Sequence, residues 1–176
     1  LDFQFEVLTT YFNDGNRKPQ RSSYNNAHAY LSAPYGIYKT SNGYIAIAMT
    51  PLPQLGELLD LNSIKGLDDQ KEWFTKRDEI KKDIGDWIEK QTTEHWLSIL
   101  EPADIWCAKV LDWDTMVKHE GFKILDMVQR IKRDDGLDIE TLRCPIKIDG
   151  EIFKSSKAAP KIGNDNNSIM KEFGIS

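Results

Sequence analysis

An α+β fold is predicted by three features of the sequence. Asn42-Gly43 lies between two short apolar stretches, which is the strongest short-range signal for a β-hairpin. Between residues 51 and 100, apolar side chains recur at three- and four-residue spacing, the period of packed helices. Beyond residue 126 the spacing reverts to short alternating runs broken by Asp134-Asp135-Gly136 and Asp149-Gly150, as in strands joined by turns.

In order, residues 1–12 carry Leu1, Phe3, Phe5, Leu8 and Phe12 at a mostly helical spacing. Residues 13–32 lose periodicity and fill with Asn, Arg, Lys, Ser and Gly, a long ordered loop of the kind that tends to carry function. The hairpin runs over 36–41 and 44–49, with Asn42-Gly43 as a two-residue type I′ turn. Alternation sends Ile45, Ile47 and Met49 to one face and Tyr44, Ala46 and Ala48 to the other, so both faces are at least partly covered. Pro51 and Pro53 suit a first helical turn, and Leu52, Leu55, Leu58 and Leu59 form its stripe. Asp69 and Glu72 resemble a capping pair for a helix in which Trp73, Ile80, Ile84, Trp87 and Ile88 are buried. Lys76, Lys81, Lys82 and Glu89 are assigned to its solvated face. Thr92 or Thr93 caps a short helix with Trp96, Leu97 and Leu100, which Pro102 stops. Residues 105–110 read as a strand, and Asp112 or Asp114 caps a helix that His119 ends, where its charge suits the macrodipole. Strands over 127–131, 141–144 and 146–148 follow, then a loop and a last helix near 168–173.

Composition narrows the function. The 176 residues are 29% charged and 40% apolar, with a formal net charge of −5. That acidic balance argues against nucleic-acid or anionic-membrane binding, which rests on clustered Lys and Arg. No apolar run approaches the roughly 18 residues a membrane span needs. No basic stretch leading into an apolar one opens the chain, so nothing points to secretion, and an opening Leu1 in place of Met fits a start that was cut. The two cysteines, Cys107 and Cys144, have no metal-type spacing and are expected as buried thiols in a reducing cytoplasm.

Spacing alone identifies no reaction centre. The phosphate-loop, dinucleotide-binding, zinc-protease and serine-hydrolase motifs are all missing. His28, His95 and His119 stand far apart without a second ligand three or four residues away, so no metal site is expected. His95 reads as partly exposed and structural, and Trp106 and Trp113 as core. His28 stands out because it lies in the long polar loop before the hairpin.

That loop and hairpin carry a family resemblance. Asn26, His28, Tyr30, Pro34, Tyr35, Gly36, Tyr38, Thr40 and Gly43, followed by Ile45-Ala46-Ile47-Ala48, resemble a segment of the family III coenzyme A transferases. The family includes formyl-CoA transferase, carnitine CoA-transferase and α-methylacyl-CoA racemase. Further matches keep the family's order: Leu55 with Leu59-Asp60-Leu61; Arg77-Asp78; Thr93, Trp96 and Leu100; the strand around Cys107; Cys144-Pro145; Ala159-Pro160 with Gly163; and Phe173-Gly174. Ala29, Asn42 and Trp106 depart from the pattern, and Ser32-Ala33-Pro34-Tyr35-Gly36 occupies the place of the glycine-rich loop of formyl-CoA transferase, which removes the basis for an oxalate or formate specificity.

The resemblance implies a division of the chain. Residues 1–30 would link from a Rossmann-like large domain that precedes them, 31–135 would form a small α+β domain of hairpin, antiparallel strands and packed helices, and 136–176 would return toward the large domain. It implies a parent enzyme that moves coenzyme A between an acyl-CoA and a carboxylic acid, with no tightly bound cofactor and an interlocked homodimer as its assembly. The family's aspartyl nucleophile has no counterpart here, so the chain alone is expected to be inactive. Asn26, His28, Tyr30, Tyr35 and Gly36 are the candidates for lining the substrate cleft. A 2-methylacyl-CoA racemase or epimerase, and a non-catalytic capping or dimerisation module, stand as alternatives.

Overall fold

The computed structural model of the chain describes residues 5–24, 28–133 and 135–175. It is a mixed α+β structure that divides into two units, Leu1–Val110 and Leu111–Ser176. In the first, helix α1 (Phe5–Asn13) is followed along the chain by a hairpin of β1 (Gly36–Thr40) and β2 (Gly43–Ile47). Helices α2 (Leu52–Leu59), α3 (Asn62–Lys65), α4 (Gln70–Thr75), α5 (Arg77–Ile88) and α6 (Thr93–Leu100) follow, and β3 (Cys107–Lys109) pairs antiparallel with β2. The sheet order is β1-β2-β3.

The hairpin turns one residue earlier than its sequence predicts. Thr40 pairs with Gly43, so Ser41-Asn42 form the two-residue loop and Gly43 opens β2. Neither loop residue adopts the positive φ of a type I′ turn. The reason is tertiary. The Asn42 side-chain oxygen accepts from the Thr93 backbone N–H at 2.8 Å, an amide at the start of α6 with no partner inside its own helix. The Asn42 amide donates to Glu94 at 2.7 Å, and Ser41 N–H donates to Gln91 C=O at 2.9 Å. The buried hydroxyls of Thr40 and Thr93 meet at 2.7 Å. Docking onto a helix end thus outweighs the local preference for Asn-Gly.

One face of the sheet and the helices share a core of Tyr38, Ile45, Ile47, Leu52, Leu55, Ile84, Ile88 and Leu100, all almost entirely excluded from solvent. Helix α5 packs on β1, and α6 on β2 and β3. The Tyr38 hydroxyl donates to Pro34 C=O at 2.5 Å, and burial pushes this phenol well above the ordinary tyrosine range. Gly56 allows α2 and α3 to touch: a Cβ there would stand 2.8 Å from the Lys65 backbone nitrogen.

Several expectations are corrected in this unit. The helix assigned to the segment after Asp69 is two helices broken at Lys76. Lys81 is fully buried instead of solvated, because it repeats the phase of Arg77, Ile84 and Ile88. Burial, and then the neighbouring charge of Arg77, hold its ammonium below the usual lysine range. Trp106 is 69% exposed, outside the core. Pro102 does not end the helical path but sits in a 3₁₀ turn, Glu101–Ala103, which Asp104 closes in the left-handed conformation.

The second unit contains α7 (Trp113–Lys118), α8 (Glu120–Leu125), the hairpin of β4 (Val128–Lys132) and β5 (Asp138–Leu142), the short pair β6 (Lys147–Ile148) and β7 (Glu151–Ile152), and α9 (Asn166–Phe173). Asp112 caps α7, accepting from Thr115 N–H at 2.8 Å. His119 does more than end that helix: its Nδ1 accepts from Gly121 N–H and starts α8, which the sequence reading missed. Among the described residues of this unit only Arg143 is buried, and its guanidinium donates to the carbonyls of Leu125, Asp126 and Cys144. Trp113, expected in the core, and Cys144, expected to be buried, are both exposed, because this unit has no apolar interior to receive them.

Candidate functional site

The outer face of the three-stranded sheet carries a concave site. Ile37, Ala46 and Ala108 are cross-strand partners in one row, opposite in pleat to Tyr38 and Ile45. Two of the three are alanines, so the sheet surface is shallow there. Ala48, whose N–H donates to Trp106 C=O at 2.8 Å, continues the small-residue floor, and the Trp106 side chain stands beside it. The segment before β1 adds Arg21, His28 and Tyr35 to the lining of a groove of about 870 Å³, in which Gly36, Ile47 and Cys107 also take part.

The polar groups in this groove are few. His28 Nδ1 accepts from Tyr30 N–H at 3.2 Å, which leaves Nε2–H as the donor available to a ligand. Arg21 supplies a positive charge, and no carboxylate lines the groove among the described residues. Burial, helped by the charge of Glu101, raises the Cys107 thiol above its ordinary range, so it is not a ready thiolate. The groove therefore offers an apolar surface, a cation and a hydrogen-bond donor. Among the described residues no cluster of His, Cys, Asp and Glu has the geometry to hold a metal ion, and no helix is long and apolar enough to cross a membrane.

Three of the five residues singled out in the sequence, His28, Tyr35 and Gly36, come together here. Tyr30 lines a different cavity, with Arg77 and Phe74. Asn26 lies outside the described residues. Arg21, Trp106 and the alanine floor escaped the sequence reading. The alternation of Tyr44, Ala46 and Ala48 held the only trace of that floor.

The first unit thus sets its helices on one face of the sheet and leaves on the other a groove that is apolar apart from Arg21, His28 and Tyr35. Residues 3–166 match the family described as CoA-transferase family III, and the chain belongs to that family. It is 28% identical over 148 residues to the human alpha-methylacyl-CoA racemase, an alignment that takes in 81% of this chain and 37% of the racemase. The fold is similar to the crystal structure of Rv3272 from Mycobacterium tuberculosis (TM-score 0.64, 17% identity, 94% of this chain and 43% of that one). It is also similar to a CAIB/BAIF family protein from Brucella suis (TM-score 0.62, 19% identity, 96% and 44%). The chain spans less than half the length of each of these relatives.

Proposed function

We propose that this chain is the small-domain portion of an acyl-CoA transferase that moves coenzyme A between an acyl-CoA and a carboxylic acid. A carboxylate nucleophile attacking a thioester needs a site closed to water and donors for the oxyanion that develops. In this reading the aspartyl nucleophile belongs to a Rossmann-like half outside the chain. The groove supplies a wall: the Ile37–Ala46–Ala108 row and Trp106 take the apolar part of the acyl group, and Arg21 with His28 Nε2–H faces its carboxylate or thioester oxygen. The observation that carries the reading is a groove of acyl size with a cation and a donor but no carboxylate.

The finer assignments belong to the same proposal. Residues 1–30 link from the large half, 31–135 form the small domain and 136–176 return to the large half. The parent protein is longer than this chain, works as a cytoplasmic homodimer and uses coenzyme A as substrate with no tightly bound cofactor. Its assay is exchange. The parent protein, incubated with an acyl-CoA and a second carboxylic acid, yields the new thioester, while the 176-residue chain alone yields none. Turnover by the isolated chain would refute the assignment.

The identity to alpha-methylacyl-CoA racemase favours a second reading, in which the parent inverts the centre beside the thioester of a 2-methylacyl-CoA. Loss of α-proton label without exchange of acyl groups selects that reading over transfer.

A further inference from the structure

The Tyr30 hydroxyl is buried and, among the described residues, meets no hydrogen-bond partner. Buried hydroxyls are paired as a rule, since a dry one carries its full desolvation penalty. Tyr30 lines a cavity of about 490 Å³ together with Asp14, residues 17–20, Ala29, Phe74 of α4 and Arg77 at the start of α5. The charge in that lining is unbalanced. Arg17, Lys18 and Arg77 face a single carboxylate, Asp14, which Arg17 already engages. Arg77 is buried and held in place: it donates to Ala29 C=O at 2.8 Å and to Gln20 C=O, and its guanidinium lies 4.5 Å from the Phe74 ring centroid. The neighbouring Asp78 turns its carboxylate to Ser23 N–H instead. One helical turn on, the buried Lys81 ammonium has no hydrogen-bond partner either, but it lies outside the lining of this cavity. Three cations in the lining, of which the buried Arg77 is fixed by two backbone carbonyls, together with an unused donor, fit a ligand that is negative, small and rich in acceptor oxygens.

We propose that this cavity binds a compact anionic group, a carboxylate or a phosphate, which Tyr30 Oη–H and Arg77 would contact and Lys18 would help to neutralise. The site is separate from the groove and does not depend on the acyl-transfer reading. It has a consequence for the groove all the same, because Arg77 holds Gln20 and Ala29, the residues that adjoin Arg21 and His28.

The test is titration of the 176-residue chain with sodium phosphate and with sodium acetate, at ionic strength held constant with sodium chloride, followed by calorimetry. Saturable binding of phosphate alone identifies a phosphate-bearing ligand, and comparable binding of acetate identifies a carboxylate. Saturation by neither overturns the site. Tyr30→Phe is expected to weaken binding about tenfold or more, the effect of one hydrogen bond to a charged group, and Lys18→Gln to weaken it less. Tyr30→Phe should also keep or raise the thermal midpoint in anion-free buffer, because it removes an unpaired buried hydroxyl. Unchanged affinity in both variants, or a lower midpoint for Tyr30→Phe without anion, would overturn the proposal.

Discussion

Replacing Asn42 by Ala tests the mechanism that sets the hairpin turn. The variant loses the acceptor for Thr93 N–H, and Thr93 is completely buried, so that amide has no water to turn to. Loss of a capping interaction costs about 0.5–2 kcal/mol, and an unsatisfied buried donor costs about 1–3 kcal/mol. The two overlap, since they describe one bond, so the expected loss is about 1.5–3 kcal/mol. The bond from Asn42 to Glu94 is exposed and adds no counted energy, but it does mark the acid limb. Hydrogen bonds from Lys109 first and Asn42 second hold Glu94 down at about 2. A depressed carboxylate contributes stability that is complete above its ordinary value near 4.3 and is lost as pH falls toward the folded-state value. Without Asn42 the Glu94 value rises, and the acid loss becomes smaller and is confined to a narrower range just below 4.3. Urea unfolding at pH 7 and at pH 3, followed by tryptophan fluorescence, measures both effects. A loss under about 0.5 kcal/mol at pH 7, within the range of an ordinary surface substitution, would show that α6 does not fix the turn. Asn42→Asp separates the roles: it keeps the acceptor for Thr93 but sets a second carboxylate against Glu94, so it should grow more stable relative to wild type as pH falls below 4.

Lys81→Met replaces a buried unpaired ammonium by an apolar chain of similar volume and should stabilise the chain by about 1–4 kcal/mol, read as a higher urea midpoint. Gly56→Ala drives a methyl group into the Lys65 backbone and should destabilise by about 1–3 kcal/mol, measured the same way. Ala46→Leu fills the middle of the groove floor on a half-exposed face; the chain's urea midpoint should move little, while on the transferase proposal the acyl exchange of the parent protein falls at least tenfold, so unchanged exchange would remove the groove from the site.

The elements governed by local rules were legible in the sequence. Alternation at Ile45 and Ile47, the leucines of α2 and a cap at Asp112 or Asp114, of which Asp112 serves, act within a few residues, and each leaves a pattern that can be read. Where the reading failed, partners distant in sequence decided the outcome. Asn42-Gly43 suggested a turn made by its own backbone, but the Asn42 side chain answers to α6 some fifty residues later. Lys81 was assigned by residue type, although its phase with Arg77, Ile84 and Ile88 placed it inside. Trp106 and Trp113 were assigned to a core because tryptophan is large and apolar, yet burial depends on a neighbour being there to cover it. In the site, His28, Tyr35 and Gly36 were visible because one short segment carries them. Arg21 offered no spacing signal, and the row Ile37–Ala46–Ala108 exists only once β3 is added to the hairpin, a pairing no local window contains.

The unit that follows Val110 keeps its interior polar, with Arg143 gathering three carbonyls where other domains put leucines. Its side chains such as Ile124, Leu142, Ile148 and Phe173 remain in contact with water. Backbone hydrogen bonds without an oily shell open readily. Amide deuteration should therefore sweep through this stretch while the strands and helices around Tyr38 and Ile84 still hold their protons. That outcome would give the polypeptide two levels of thermodynamic cooperativity, the weaker of which gains most from whatever surface comes to cover it.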